Sequence, residues 1–305
     1  KPDAVLRLLK QEGLDDAQIR RLVLSHPRVL VADAKDTLEP KIRALREGGF
    51  SGPELARLIS TCPSVTRQRG VLPRIEFWRN LVGNDEKLFK AIEGSFSLLH
   101  FRLEEKVIPN LLFLRSLGIT DEKIRTIVLR RPRLITSGMD RIRAAVEQVK
   151  GMGIPPDSTV FVEALYTVFF LRRLALDAKL EFLSSFGWSQ AELMLAFRRF
   201  PRILGLSEKK IHSGMDFLKK AGCRPSYVAS RSVLLGYSME RRLKPRYHVL
   251  QSLKMNGLHG GDVDLYGVMV LTEKKFMSKY VIPNTESIPE LLESYLAAGA
   301  KSIPS

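Results

Sequence analysis

Cysteine is nearly absent. Cys62 and Cys223 are the two in 305 residues, and their separation offers neither a disulfide framework nor metal-ligand spacing, a usage that fits a reducing interior. Histidine is as sparse: His26, His100, His212, His248 and His259 are scattered, with no paired ligand spacing, no phosphate-cradling loop and no nucleophile elbow. The chain therefore reads as non-catalytic, with no metal and no cofactor. Long apolar runs are missing too, since no stretch of about 18 apolar residues suggests a membrane span. Acid is short relative to base, 33 Asp and Glu against 49 Lys and Arg, giving a net charge of +16 and a pI near 10.0. Such an excess, spread along a scaffold, is the electrostatic footprint of a nucleic-acid binder. An anionic membrane would compete for that charge, but no long basic amphipathic helix stands apart to serve it.

What is present is periodicity. Gly13, Gly49, Gly83, Gly118, Gly153, Gly187, Gly222 and Gly257 fall 34 to 36 residues apart, a pitch that marks a helical array. Seven and four residues before the glycine stand apolar pairs such as Leu6 and Leu9, Ile42 and Leu45, Leu111 and Leu114, Val146 and Val149. This is the inward stripe of a helix closed by a left-handed glycine. The third unit slips and offers Phe77 and Trp78 instead. The chain opens at Lys1 without a secretory or transit-type segment, yet Leu6 is already in phase. It reads as a processed form.

An apolar residue follows the glycine, and then a helix-start signal: Asp15 with Gln18, Ser51 with Glu54, Thr120, and Ser189 with Glu192. An acceptor followed three residues later by Glu or Gln satisfies two free amides reciprocally, so a second helix begins there. Its stripe is Ile19, Leu22 and Val23 in the first unit and Ile124, Ile127 and Val128 in the fourth. Pro27, Pro63, Pro132 and Pro201 stand fourteen residues past their glycines and oppose continuation of that helix. Phe96, Val168 and Ser232 stand near the proline position elsewhere, so those helices are free to end differently. The expected fold is all-α: a right- or left-handed superhelical solenoid of about eight two-helix repeats of about 35 residues, each second helix followed by a short Pro-initiated turn. The solenoid should occupy residues 1–275 as one continuous body, with residues 276–305 as a C-terminal capping helix and tail.

The unit length, the apolar-Gly-apolar turn and the tails Pro27-Arg28-Val29-Leu30, Pro132-Arg133-Leu134-Ile135 and Pro201-Arg202-Ile203-Leu204 resemble the mitochondrial transcription termination factor (mTERF) family. Its plant members are matched further by Arg241-Arg242-Leu243-Lys244-Pro245-Arg246, Val249-Leu250, Glu273-Lys274-Lys275-Phe276, Lys279-Tyr280-Val281 and Pro289-Glu290-Leu291-Leu292. The resemblance implies a nuclear-encoded protein of the mitochondrion or chloroplast, with a basic concave groove for nucleic acid and a role in transcription termination, transcription or intron splicing. Tetratricopeptide and pentatricopeptide repeats have similar lengths, and Gly151-Met152-Gly153-Ile154-Pro155-Pro156-Asp157 superficially resembles a boundary of the latter. The proline-terminated second helices argue against both.

Basic residues recur at two phases. Arg20, Arg21, Arg57, Lys90 and Arg125 lie on second helices off the apolar stripe; Arg28, Arg130, Arg131, Arg133, Arg198, Arg199 and Arg202 surround the proline position, with Arg172 and Arg173 near the corresponding point of the fifth unit. These are the candidate nucleic-acid contacts. The competing reading of the second group is that cations at a helix C-terminus meet its dipole and free carbonyls. A third set, Lys41, Arg43, Lys106, Arg141, Arg143, Lys179, Lys209 and Lys210, reads as an ordinary solvated face. Phe161, Phe169, Phe170, Phe197 and Phe200 read as core, with Tyr166 and Tyr227 as possible exceptions. The expected partner is double-stranded DNA or structured RNA, alongside other organellar gene-expression proteins, with the chain acting as a monomer. Phosphate rails do not separate DNA from RNA. The alternative is a helical-repeat scaffold binding an acidic protein.

Overall fold

The computed structural model describes residues 1–50, 52–66, 70–171, 173–258 and 263–298, and of Ser64, Phe96, Ser97 and Arg173 the backbone alone. Among the described residues every regular element is helical. The chain divides into two compact units, Lys1–Glu147 and Gln148–Ser305.

The first unit alternates long pairs with tight turns. It runs α1 (Pro2–Gln11), α2 (Asp16–Ser25), α3 (Glu39–Glu47), α4 (Gly52–Thr61), α5 (Val71–Val82), α6 (Asp85–Gly94), α7 (Ile108–Ser116), α8 (Asp121–Arg130) and α9 (Met139–Gly151), the last spanning the junction. Even-numbered helices pack in succession, α2 on α4, α4 on α6 and α6 on α8. They form one layer over the odd-numbered helices. Tight 3₁₀ turns at Pro27–Val31, Pro63–Thr66, Phe96–Leu99 and Pro132–Leu134 close each pair. Wide turns at Ala34–Leu38 and Leu103–Val107 then lead directly into α3 and α7.

The glycine of each unit closes the first helix as expected. All eight have positive φ, from 66° at Gly257 to 103° at Gly83, and among the described residues no other residue type does. At Gly118 (φ 79°) the next amide, of Ile119, donates back to Leu114 at 3.3 Å, the bond that ends a helix when a left-handed residue reverses the chain. Ile119 and Leu114 are both buried, so the apolar residue after the glycine seals the turn. In the third unit Gly83 follows the last helical residue directly. Buried positions there shift by one, to Ile75 and Trp78, which explains the slip in the pattern.

Second helices start where their caps stand. Asp15 and Gln18 form a complete capping box, as do Ser189 and Glu192, and Thr120 accepts from the amide of Lys123. The cap expected at Ser51 lies outside the described residues. The tight turn does not need its proline: it forms at Phe96–Leu99, and at Ser232–Gly236 after a shortened helix.

The second unit contains α10 (Phe161–Phe170), α11 (Arg173–Ser184), α12 (Gln190–Arg199), α13 (Glu208–Lys220), α14 (Pro225–Ser230), α15 (Lys244–Met255), α16 (Leu265–Met269), α17 (Glu273–Phe276) and α18 (Leu291–Ala297). Its first pair departs from the pattern. Ile154 and Pro155 each precede a proline, and a residue before proline avoids the helical region, so α10 starts late and runs to Phe170 with no tight turn after it. At the C-terminal end, Phe276, Met277, Tyr280, Val281, Leu291 and Tyr295 bury themselves on Val249 and Leu253 of α15. Helical structure continues from α17 through Val281.

Candidate nucleic-acid interface

Among the second helices, α8 and α12 are polarised end to end. First turns carry Asp16 in α2, Glu54 in α4, Asp85 and Glu86 in α6, Asp121 and Glu122 in α8 and Glu192 in α12. Last turns of α8 and α12 carry Arg130, Arg198 and Arg199, and the turns beyond carry Arg28, Arg133 and Arg202. Acid thus collects where the chain leaves the glycine turn, base where it enters the tight turn. Helix dipoles favour this arrangement, and it leaves a positive edge that an anion can reach.

Exposure and pairing sort the predicted residues. Arg20, Arg21, Arg28, Lys90, Arg125, Arg130, Arg131, Arg133 and Arg199 are exposed, and among the described residues none makes an ion pair or side-chain hydrogen bond. The hydroxyls nearby bond carbonyls inside α2 and in the turn after α8: Ser25 Oγ donates to Arg21 O at 2.8 Å, Thr136 Oγ1 to Pro132 O at 3.3 Å and Ser137 Oγ to Arg133 O at 2.6 Å. Arginine side chains therefore do not cap these helices. Three predicted residues are engaged elsewhere. Arg57 Nη2 meets Glu93 at 2.9 Å and stacks over Phe89, Arg202 Nε lies 3.4 Å from Glu163, and Arg198 lies over the Gly153 turn, where an added Cβ would stand 3.0 Å from its Nη1. Arg172 falls outside the described residues, as does the side chain of Arg173.

The two predicted groups do not share a face. At about 100° per residue, Arg125 and Arg130 of α8 point roughly 140° apart around the axis. Arg125 lines a cleft of about 370 Å³ with Phe77, Asn80 and Arg115. Arg21, Arg57 and Lys90 point opposite their buried stripes, forming a row across α2, α4 and α6. The free arginines nearest one another in sequence are Arg130, Arg131 and Arg133, at one end of α8 and its turn.

The third set is not uniformly a solvated face. Lys179 Nζ donates to Leu206 O at 3.0 Å and Lys210 Nζ to Gly236 O at 2.7 Å, so both tie a first helix to the turn that closes the same pair. Lys106 and Arg143 lie over Phe101 and Phe113, and Arg43 pairs with Glu39. Another cleft, of about 570 Å³, lies on the outer stripe of α13 between Lys209, Lys220 and Lys244. There His212 faces Asp216 at 3.0 Å and Lys244 faces Glu240 at 2.6 Å.

Internal cations escaped the sequence reading. Arg246 is 1% exposed; its Nη1 donates to the carbonyls of Val268, Met269 and Leu271, and its Nη2 to Glu273 at 2.8 Å. Arg242 donates to Met269 O and Leu271 O, and burial beside Arg246 pulls its pKa below the ordinary arginine range. One signal pointed there: Arg246 stands eleven residues before its glycine, where other units place Leu38, Val107, Ile142, Leu176 and Ile211, all buried. A charge on that stripe requires an internal partner.

Phe161, Phe169 and Phe197 are core, Phe200 is half-buried, and Phe170 is 42% exposed. Tyr227 is held in place: its hydroxyl donates to Asp264, accepts from the amide of Tyr266 at 2.9 Å and lies beside Arg231, whose guanidinium covers the ring. Among the described residues no group of three or more His, Cys, Asp or Glu is placed to hold a metal, and no helix is long and apolar enough to cross a membrane.

Comparison with known proteins adds the context. The mTERF family model matches residues 6–72 and 65–277. A curated relative, the mitochondrial transcription termination factor MTERF15 of Arabidopsis thaliana, is 22% identical over 287 residues, covering 90% of this chain and 62% of the relative. The chain thus spans less than two thirds of that relative's length.

Proposed function

The chain belongs to the mTERF family, and from that premise we propose that it is a non-catalytic nucleic-acid-binding protein of organelle gene expression. Duplex DNA or structured RNA is its ligand. The observation that carries this reading is the free arginine edge, above all Arg130, Arg131 and Arg133, which are exposed and satisfy no carbonyl or carboxylate among the described residues. Guanidinium groups left unpaired beside a helix C-terminus suit the bidentate recognition of phosphate. Such contacts set affinity and register while leaving sequence unread. A role in termination, transcription or splicing follows the family, and a mitochondrial address follows the relative's name.

The test is a gel-shift comparison of duplex DNA, structured RNA, single-stranded RNA and an unrelated polyanion across a salt series. Preferential binding of a duplex, with affinity falling steeply as salt rises, is the expected result. Equal weak binding to every probe would overturn it in favour of a scaffold for an acidic protein.

A further inference from the structure

Asn110 is a polar residue on the buried stripe of α7, 1% exposed. Its Nδ2 donates to Ile135 O at 2.6 Å and to Ser137 O at 2.8 Å, carbonyls just past the turn carrying Arg133. It stands eight residues before Gly118. Lys179, eight residues before Gly187, does the same in the second unit, holding Leu206 O just past the turn that carries Arg202. Arg74, nine before Gly83, reaches Leu99 O at 2.7 Å. The device recurs although the residue type changes, so what these three pairs share is a donor aimed at the end of the tight turn or just past it.

We infer that Asn110 is a positioning residue for the nucleic-acid edge, fixing the turn on which Arg131 and Arg133 are mounted; this rests on the function proposed above. The tight turn is three residues long, Pro132–Leu134, and its proline supplies no amide. Its own backbone bonds alone do little to anchor it to the layer beneath. Asn110 supplies that anchor from the first helix, with both donors of one amide group used. Arginines on an anchored turn meet a phosphate rail without first ordering the backbone, a saving that appears as affinity.

Asn110 also permits a clean test, because replacing it leaves the charge of the protein unchanged. In Asn110→Ser, the smaller residue leaves room for water at the two carbonyls and keeps the helices intact, as circular dichroism would verify; Asn110→Leu is the harsher companion. The slope of log affinity for duplex DNA against log salt is measured for wild type, each Asn110 variant, Arg131→Ala/Arg133→Ala and the combination. Each phosphate contact contributes about 0.9 to that slope. The inference expects Asn110→Ser to lose up to roughly 1.8 of slope, with no further loss when the arginines are also removed. A folded Asn110→Ser with the wild-type slope and only a lower melting temperature would overturn it, leaving Asn110 a stabiliser alone. A wild type that shows no salt-dependent binding of either duplex DNA or structured RNA fails differently: it removes the proposed function, and the positioning role with it.

Discussion

Arg246 and Glu273 stand 2.8 Å apart in an ion pair whose arginine is 1% exposed. The other carboxylate oxygen accepts from the Tyr295 hydroxyl at 2.8 Å, and the guanidinium lies 4.6 Å over the Phe276 ring. One arginine thus joins α15, α17 and α18, and closes the C-terminal end of the second unit. Part of the arginine content of this protein is therefore structural.

Arg246→Ala should destabilise the protein by up to about 3 to 5 kcal/mol, because it strips the half-buried Glu273 carboxylate and Val268 O of their guanidinium donor and empties a core position, while Arg242 still reaches Met269 O and Leu271 O. Tyr295→Phe removes one hydrogen bond to a charged group and should cost about 1.5 to 3 kcal/mol. Chemical denaturation of both variants measures the difference; equal small losses would show that the pair is dispensable.

Alkaline titration should reveal two late tyrosines. Burial, reinforced by hydrogen bonds to Asp264 and Glu273, pushes Tyr227 and Tyr295 up to about 12 from an ordinary 10.0. The folded state prefers the neutral phenol, so the stability this contributes is fully present below pH 10 and is lost as pH rises toward 12. Phenolate absorbance should show a late component near pH 12 from Tyr227 and Tyr295, and Tyr227→Phe should remove part of it.

Gly118→Val tests the helix-closing turn without a steric clash, since no atom lies within 4 Å of an added Cβ. The cost is backbone strain at φ 79°, at least about 1 to 2 kcal/mol. Leu114→Ala and Ile127→Ala, both fully buried, should each cost about 2 to 5 kcal/mol. Three unchanged melting temperatures would contradict the repeat register.

Replacing Arg130, Arg131 and Arg133 together with Ala should flatten the salt slope on duplex DNA by up to roughly 2.7, at about 0.9 per phosphate contact. Their side chains satisfy nothing within the fold, so stability should fall only by the dipole contribution, about 0.3 to 1 kcal/mol each. A slope that stays put while stability drops would remove these arginines from the interface.

Glu93→Ala separates the two roles of Arg57. Losing a partner at 2.9 Å frees the guanidinium on the outer row with Arg21 and Lys90. If that row meets the ligand, the slope should steepen by up to about 0.9. No change would confine binding to the tight-turn edge.

The repeat was legible in the sequence because its signals are local. A left-handed glycine, a capping box and a proline after a helix each act within about six residues, and Gly118, Asp15 and Pro132 do so in the structure. The delayed start of α10 was legible in principle too, from Pro155 and Pro156. Which charges are free was not. Arg21 and Arg57 both stand eight residues past their glycines, and what separates them is Glu93, 36 residues from Arg57. Asn110 finds its carbonyls 25 and 27 residues away, and Arg246 is drawn inside by a short helix whose carbonyls converge on one point. Sequence fixes where each helix stops because that is decided by neighbours along the chain; only packing decides which arginines remain for a ligand, because a charge is spent or left free by whatever the fold brings within hydrogen-bonding reach.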